Sequence, residues 1–248
     1  MTTARSDQWT AGEARSAMAA GPVVQFDDFA SDSPILVVAP HPDDETLGCG
    51  GLIALAAAAG RSVTIAIMTD GAGSHPGSAS FPPDRLARRR LQEARDAAWI
   101  LGGATVELAT FSASDGRLSE AIDAGSDWLA ALLERTGAKL AFVTWDADPH
   151  PDHQAANRIV RQAIAGSAIA AWAYPVWGLT LPPNSAAGDA TECVNLDIRK
   201  VSVCKGRAIA AHQTQVSDLI SDCPDGFRLS PVDIGRHTGP VETYLRVR

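Results

Sequence analysis

Ile35-Leu-Val-Val-Ala39, followed at once by Pro40-His41-Pro42-Asp43-Asp44-Glu45, decides how this chain is read. The first part is a short, continuous apolar run, the pattern of a strand buried on both faces. The second part is the turn that leaves it. Beyond the turn, Leu52 to Ala59 is apolar and Ala-rich and ends at Gly60, which reads as a helix and its C-terminal glycine. The alternation then continues. Ser62 to Met68 reads as a second strand, and Asp84 as the N-cap of a long helix that stops at Gly102-Gly103. Thr105 to Ala109 is a third strand, Ser119 to Thr136 a helix, Leu140 to Thr144 a fourth strand and Ala155 to Ala165 a helix. Strand and helix at this spacing predict an α/β, Rossmann-like fold, a mostly parallel sheet with helices on both faces.

The rest of the chain is less regular. Ala168 to Val176 reads as a strand, Val194 to Leu196 as a short extended piece, and Ile198 to His212 as helical by period. The C-terminal stretch, with Pro224, Gly226, Pro231, Gly235, Gly239 and Pro240, reads mostly as loop. Residues 1–30 read as a loosely ordered N-terminal arm and residues 31–248 as a single domain, with no internal repeat and no linker.

Composition bounds the partners. The 248 residues suit one domain, 46% hydrophobic and 20% charged, with a formal net charge of -8. That balance argues against nucleic acid or an anionic membrane as the main partner, because both need a basic footprint. No run approaches a membrane span, and the polar N-terminus lacks the apolar core of a signal peptide, so a cytoplasmic protein is expected. Cys49, Cys193, Cys204 and Cys223 form no CxxC pair and are expected to be reduced. Nothing excludes a homo-oligomer.

Two motifs carry chemistry. In the first, one imidazole and three adjacent carboxyl groups crowd a strand-to-helix turn, and a bound cation offsets their repulsion. The second, His150-Pro151-Asp152-His153, also follows a strand and opens a helix. His41, Asp44 and one histidine of the second motif give two nitrogens and one oxygen, a normal ligand set for a catalytic zinc with one position left for water. Ferrous iron suits the same ligands. The plain alternative makes Asp43 and Asp152 helix caps and leaves the histidines solvated. It suits either motif alone better than both at the same sheet edge, where open α/β sheets place their sites.

The pair of motifs resembles the LmbE-like (PIG-L) family of N-acetylglucosaminyl deacetylases, marked by (A/P)HPDDE and a downstream HPDH. Thr69-Asp70-Gly71, Arg90-Leu-Gln-Glu93 with Ala97 and Leu101-Gly102, Asp115-Gly116, and Lys205 through His212, Gln213 and Gln215 extend the likeness from about Val37 to Gln215. The resemblance implies His41, Asp44 and His153 as ligands of a zinc ion, Asp43 as general base, and His150 as the group that stabilises the oxyanion. It implies Arg90 and Asp115 as holders of sugar hydroxyls, and an amino-sugar amide as substrate. One position departs from it: mycothiol-pathway members carry Tyr two residues before HPDH, and here that position is Asp148.

Two rival functions stand beside this one. A nucleotide-binding Rossmann-type module needs a Gly-rich first turn, and the carboxylates here would repel a pyrophosphate. An amidase for a thiol-sugar conjugate would use the same machinery. Other residues read as structural. The Gly71–Gly77 loop fits no phosphate-binding spacing and reads as a pocket wall, with His75 exposed on it. Trp145 and Trp172 read as core or pocket wall, Cys204 as core, and the Arg88–Arg90 run as mostly a solvated face, on which an Arg90–Glu93 pair is the structural alternative for Arg90.

Overall fold

The computed structural model describes residues 9–30 and 32–247. In chain order the elements are β1 (Trp9–Thr10), α1 (Ala11–Ala20), β2 (Val23–Val24), α2 (Phe26–Phe29), β3 (Ile35–Ala39), α3 (Asp44–Ala58), β4 (Val63–Thr69), α4 (Pro83–Gly102), β5 (Val106–Ala113), α5 (Ile122–Thr136), β6 (Leu140–Thr144), α6 (Pro151–Ala163), β7 (Ala170–Tyr174), β8 (Ala186–Ala187), β9 (Cys193–Asp197), α7 (Ser202–Ala211), α8 (Gln213–Val216), α9 (Pro231–His237) and β10 (Val241–Arg246).

The main sheet runs β2-β9-β10-β7-β6-β3-β4-β5. Strands β3 to β7 are mutually parallel, and β10 alone runs antiparallel to its neighbours. Every residue of β3, β4 and β6 is buried, because helices cover both faces. Alternation along β3 divides the core: Ile35, Val37 and Ala39 pack with Leu52, Ala97 and Ala208 on one side, and Leu36 and Val38 pack with Leu129 and Ile159 on the other. The chain leaves β3 toward β4 on one side and returns to β6 on the other. The β3/β6 crevice is therefore the switch point of the sheet, where such folds leave a cleft beyond the carboxyl ends.

The fold departs from the sequence reading at both ends. Residues 9–29, expected as a loose arm, are folded. The side chains of Thr10 and Glu13 close a capping box on α1, Ala14 and Met18 pack against Trp145 and Cys193, and β2 pairs with β9 as the sheet edge. Asn195 Nδ2 fixes the turn after α1 by donating to Met18 O and Gly21 O at 2.8 and 2.9 Å. The C-terminal stretch, expected mostly as loop, contains α9, with a Ser230/Asp233 capping box, and β10. Pro82, not Asp84, caps α4; Pro83 opens the helix and Asp84 lies in its first turn. Helices α3 and α6 both start earlier than expected, directly on the two motifs.

Gly48 is required where α3 crosses β7. A Cβ there would lie 2.0 Å from the Tyr174 ring, whose hydroxyl donates to Val38 O at 2.8 Å. All four cysteines are free thiols. Among the described residues no helix is long and apolar enough to cross a membrane.

Candidate metal centre

The motif after β3 and the motif after β6 meet across the switch point. His41 Nδ1 and His153 Nε2 both approach the same oxygen, Asp44 Oδ2, at 3.1 and 3.2 Å. Two ligand atoms about 2.0–2.1 Å from a tetrahedral zinc stand roughly 3.3 Å apart, so each of these two contacts has the length of a ligand–ligand edge; His41 with His150 and His153, and His41 with Asp115 and Asp152, also bring one ligand-type atom each within 4.8 Å of one another. His153 Nε2 is buried and has no hydrogen-bond partner among the described residues. A buried nitrogen aimed at a carboxylate oxygen without a bond to it is the arrangement expected of a pair of metal ligands. The residues fit a divalent cation.

Each imidazole is backed by a carboxylate on its other nitrogen. His41 Nε2 faces Asp152 Oδ2 at 3.1 Å and Asp115 Oδ1 at 3.2 Å, and His153 Nδ1 faces Asp148 Oδ2 at 3.2 Å. Such outer carboxylates fix the tautomer and the ring orientation of a ligating histidine. Asp152 and Asp148 are themselves held: Asp152 accepts from Gly116 N at 2.7 Å and Leu118 N at 3.0 Å, and Asp148 from Val176 N, Trp177 N and Gly178 N at 2.8, 3.2 and 2.7 Å. Asp152 is thus more than the cap it resembles in sequence. Asp148, where the mycothiol-pathway pattern has Tyr, ties His153 to the segment after β7. Burial works against charge on His153, but Asp44 and Asp148 outweigh it and push the ring up to about 9. With a cation bound, its charge replaces those protons and the rings are neutral.

Asp43 stands beside the cluster in a different role. Its backbone has φ 147 and ψ -28, a region that non-glycine residues avoid at a cost of about 1–3 kcal/mol. The surroundings enforce it. Asp43 N donates to Glu45 Oε2 at 3.0 Å, Thr46 N and Leu47 N donate to Asp43 O at 3.0 and 2.9 Å, and Arg90 clamps Pro42 O at 3.0 Å. The result sets the Asp43 carboxylate in the cavity lining, 3.2 Å from Arg90 Nη2. Burial pushes its carboxyl up to about 7, with the Arg90 guanidinium, 3.2 Å away, opposing. That is the range in which a carboxylate serves as a general base near neutral pH.

His150 is half-buried at the mouth, its ring 4.6 Å from that of His41. Its Nδ1 accepts from Asp152 N at 3.2 Å, so in the neutral ring Nε2 carries the proton and is a donor. Burial, and then the charges of His41 and His153 in the metal-free site, lower its pKa.

Arg90 and Asp115 both line the cavity over this cluster, which has a volume of about 900 Å³. Arg90 is only 3% exposed, and its Nη1 and Nη2 donate to Gly71 O and Pro42 O. The structural alternative for it is not formed: Glu93 pairs with Arg89 at 2.9 Å and receives Thr214 N and Oγ1. Asp115 accepts from Gly73 N at 2.9 Å.

Sequence reading missed the far wall, where Trp177 and Phe227 meet edge to face at 5.1 Å, because these aromatics lie in irregular segments with no motif around them. It also placed His75 in solvent, whereas the ring is 5% exposed, wedged against Gly226 and bonded to Ser74 Oγ at 3.0 Å. The Gly71–Gly77 loop does line the cavity, through Gly73, Ser74 and Pro76. Lys205, His212 and Gln215 of the late helical motif are all buried. His212 Nε2 lies 3.0 Å from Thr46 Oγ1, and Gln215 reaches the cavity.

The fold and site define an α/β protein with a candidate metal centre, and comparison with known proteins supplies the family. The PIG-L family, described as GlcNAc-PI de-N-acetylase, matches residues 36–164. A 1D-myo-inositol 2-acetamido-2-deoxy-alpha-D-glucopyranoside deacetylase from Nocardia farcinica is 30% identical over 86% of this chain and 90% of its own length. A diacetylchitobiose deacetylase from Thermococcus kodakarensis is 29% identical over 76% of this chain and 74% of its own. The crystal structure of the conserved protein TT1542 from Thermus thermophilus superposes with a TM-score of 0.63, at 25% identity over 86% of this chain and 94% of that one. The chain belongs to the PIG-L family.

Proposed function

We propose that this chain is a zinc-dependent N-deacetylase that removes the acetyl group from an N-acetylglucosamine-type sugar or a conjugate of one, with His41, Asp44 and His153 holding the metal. The observation that carries the proposal is the convergence of His41 Nδ1 and His153 Nε2 on Asp44 Oδ2, with a non-ligating carboxylate, Asp43, one residue away and facing the same cavity. Ferrous iron would be held by the same atoms.

When bound, the ion supplies Lewis acidity at the amide carbonyl and lowers the pKa of water. The chain's own groups do the rest. Asp43 takes a proton from the attacking water, and Arg90 keeps the Asp43 carboxylate and its strained turn in place. His150 Nε2–H donates to the carbonyl oxygen as negative charge develops on it. Asp43 then gives its proton to the departing amine nitrogen, and acetate and a free amine leave. The Trp177–Phe227 wall offers an apolar face to a pyranose and shelters the reacting amide from bulk water.

The amino-sugar assignment is supported by the names of the relatives, which share a 2-acetamido sugar. Asp115, whose side chain is 12% exposed against 4% for Arg90, is the more accessible of the two hydroxyl-holding residues. The test is a panel of N-acetylated sugars and sugar conjugates, with simple acetamides lacking a ring as the control and amine release as the readout. Turnover confined to 2-acetamido sugars is the expected result. Equal turnover of the simple acetamides would remove the sugar assignment and leave the hydrolase.

A further inference from the structure

Helix α7 reaches the first turns of α3 through two polar side chains. Lys205 Nζ donates to Leu47 O at 2.7 Å, and His212, the C-cap of α7, brings Nε2 to 3.0 Å from Thr46 Oγ1. Both residues are buried. Lys205 also pairs with Glu242 of β10, which accounts for its burial. His212 has no second partner of that kind: among the described residues its Nδ1 has no hydrogen bond, and the ring is not part of the cavity lining over the metal centre. A buried imidazole costs more than an apolar ring of its size unless it makes its bonds. The bond His212 makes is to Thr46.

That contact continues toward the site. Thr46 Oγ1 donates to Glu45 Oε1 at 2.9 Å, and Glu45 Oε2 accepts from Asp43 N at 3.0 Å. Glu45 and Thr46 are fully buried. A hydroxyl has one proton. With that proton on Glu45, Thr46 can only accept from the ring, so Nε2 of His212 is the donor. The chain His212–Thr46–Glu45 therefore ends on the amide of Asp43.

Asp43 is where such a chain matters. It and Ser112 are the two non-glycine residues with positive φ among the described residues. The orientation of the Asp43 amide sets φ, and φ sets the direction in which the carboxylate leaves the backbone. Arg90 holds the carboxylate end of this residue at 3.2 Å, and Glu45 holds the amide end. The far end of the chain is fixed as well. Gln215 N and Val216 N donate to His212 O at 2.8 and 3.1 Å, and Thr214 ties the same turn to Glu93 of α4 through N and Oγ1 at 3.1 and 2.6 Å.

We propose that His212 is a positioning residue for the reaction: from outside the cavity, through Thr46 and Glu45, it holds Asp43 in its strained turn so that the carboxylate meets the attacking water. The inference rests on the N-deacetylase reading, with Asp43 as the base.

The test is a double-mutant cycle on the metal-loaded protein, with the N-acetylated sugar that the wild type turns over. Thr46→Val and His212→Phe should each lower kcat about 10- to 100-fold, the scale of a misplaced catalytic group, with KM and metal affinity unchanged. The double variant should be no slower than the slower single one, because both cut one chain. Thr46→Ser, which keeps the hydroxyl, and His212→Gln, which keeps a donor within reach of it, should restore most of kcat. In a crystal structure of Thr46→Val, Asp43 should leave the φ of 147 it has here. Losses that multiply in the double variant, unchanged kcat in Thr46→Val, or an Asp43 turn that stays in place in that crystal would overturn the proposal. The Thr46 variants decide it if His212→Phe does not fold. No turnover of any acetamide by the metal-loaded wild type would defeat the deacetylase reading instead, and the Asp43 turn in the Thr46→Val crystal would then decide whether the chain holds it.

Discussion

Replacing Asp148 with Asn removes one charge and almost no volume, and the contacts of the side chain set the consequences. It is fully buried. Oδ2 accepts from Val176 N and Trp177 N and faces His153 Nδ1, while Oδ1 accepts from Gly178 N. An Asn keeps most of this with its amide oxygen in the Oδ2 place, but its NH2 then meets the Gly178 N–H, donor against donor. One buried donor left unpaired costs about 1–3 kcal/mol. At about 2–4 °C per kcal/mol for a chain of this size, Tm of the metal-free protein should fall by roughly 2–12 °C. The larger effect is on the ion. Without a carboxylate behind Nδ1, the His153 ring is less basic and less firmly oriented, and metal affinity should fall about 10–100-fold, or roughly 1.4–2.7 kcal/mol. Competition against a chelating dye measures the affinity, and thermal melts of the metal-free protein measure the stability. Unchanged metal affinity in a folded Asp148→Asn protein would refute the assignment of His153 as a ligand held by Asp148.

Further substitutions separate the remaining roles. Asp44→Ala should lose metal, whereas Asp43→Asn should keep it and lose about 100- to 10,000-fold in kcat; metal contents that fall equally would show the roles to be misassigned. His150→Ala should retain metal, with kcat falling more than KM rises, the mark of a contact made mainly in the transition state; an apo His150→Ala protein would make His150 a ligand instead. Arg90→Ala and Asp115→Ala should differ in kind. The first should lower stability by about 1–3 kcal/mol, because Pro42 O and Gly71 O lose their buried donor, and kcat with it. Asp115→Ala should reduce kcat/KM on the sugar substrate about 10- to 150-fold and, because His41 Nε2 keeps Asp152, should weaken metal binding less than Asp148→Asn does. A rise in KM alone for Arg90→Ala, at unchanged Tm, would return Arg90 to the substrate.

The central fold was legible because β3, β4 and β6 are covered on both faces, so their sequences are unbroken apolar runs. The ends were not, for a physical reason in each case. Strand β10 carries Glu242 at a fully covered position, which spoils the apolar pattern, and only the tertiary partners Lys205, Tyr244 and the amides of Gly51 and Leu52 make that carboxylate tolerable there. Strand β2 is two residues long and exists because β9 pairs with it. Helix α1 did leave a signal, Thr10 followed three residues later by Glu13, which is the spacing of a capping box. At the candidate metal centre, residue types in the two motifs offered His41, Asp44 and one histidine of the second motif, and the family resemblance chose His153. What they did not give was the outer layer of contacts made by Asp152, Asp148 and Arg90. Each owes its role to a partner far along the chain, Asp152 to His41, Asp148 to residues 176–178 and Arg90 to Gly71 and Pro42.

The most direct test of the central claim measures metal content and acetate release from an N-acetylglucosamine conjugate on the same preparation, before chelation, after chelation and after zinc or ferrous iron is returned. The account predicts one transition-metal ion per chain, loss of acetate release together with the metal, and recovery in proportion to the metal restored. Full activity in the chelated protein, with no zinc or iron detectable, would contradict it.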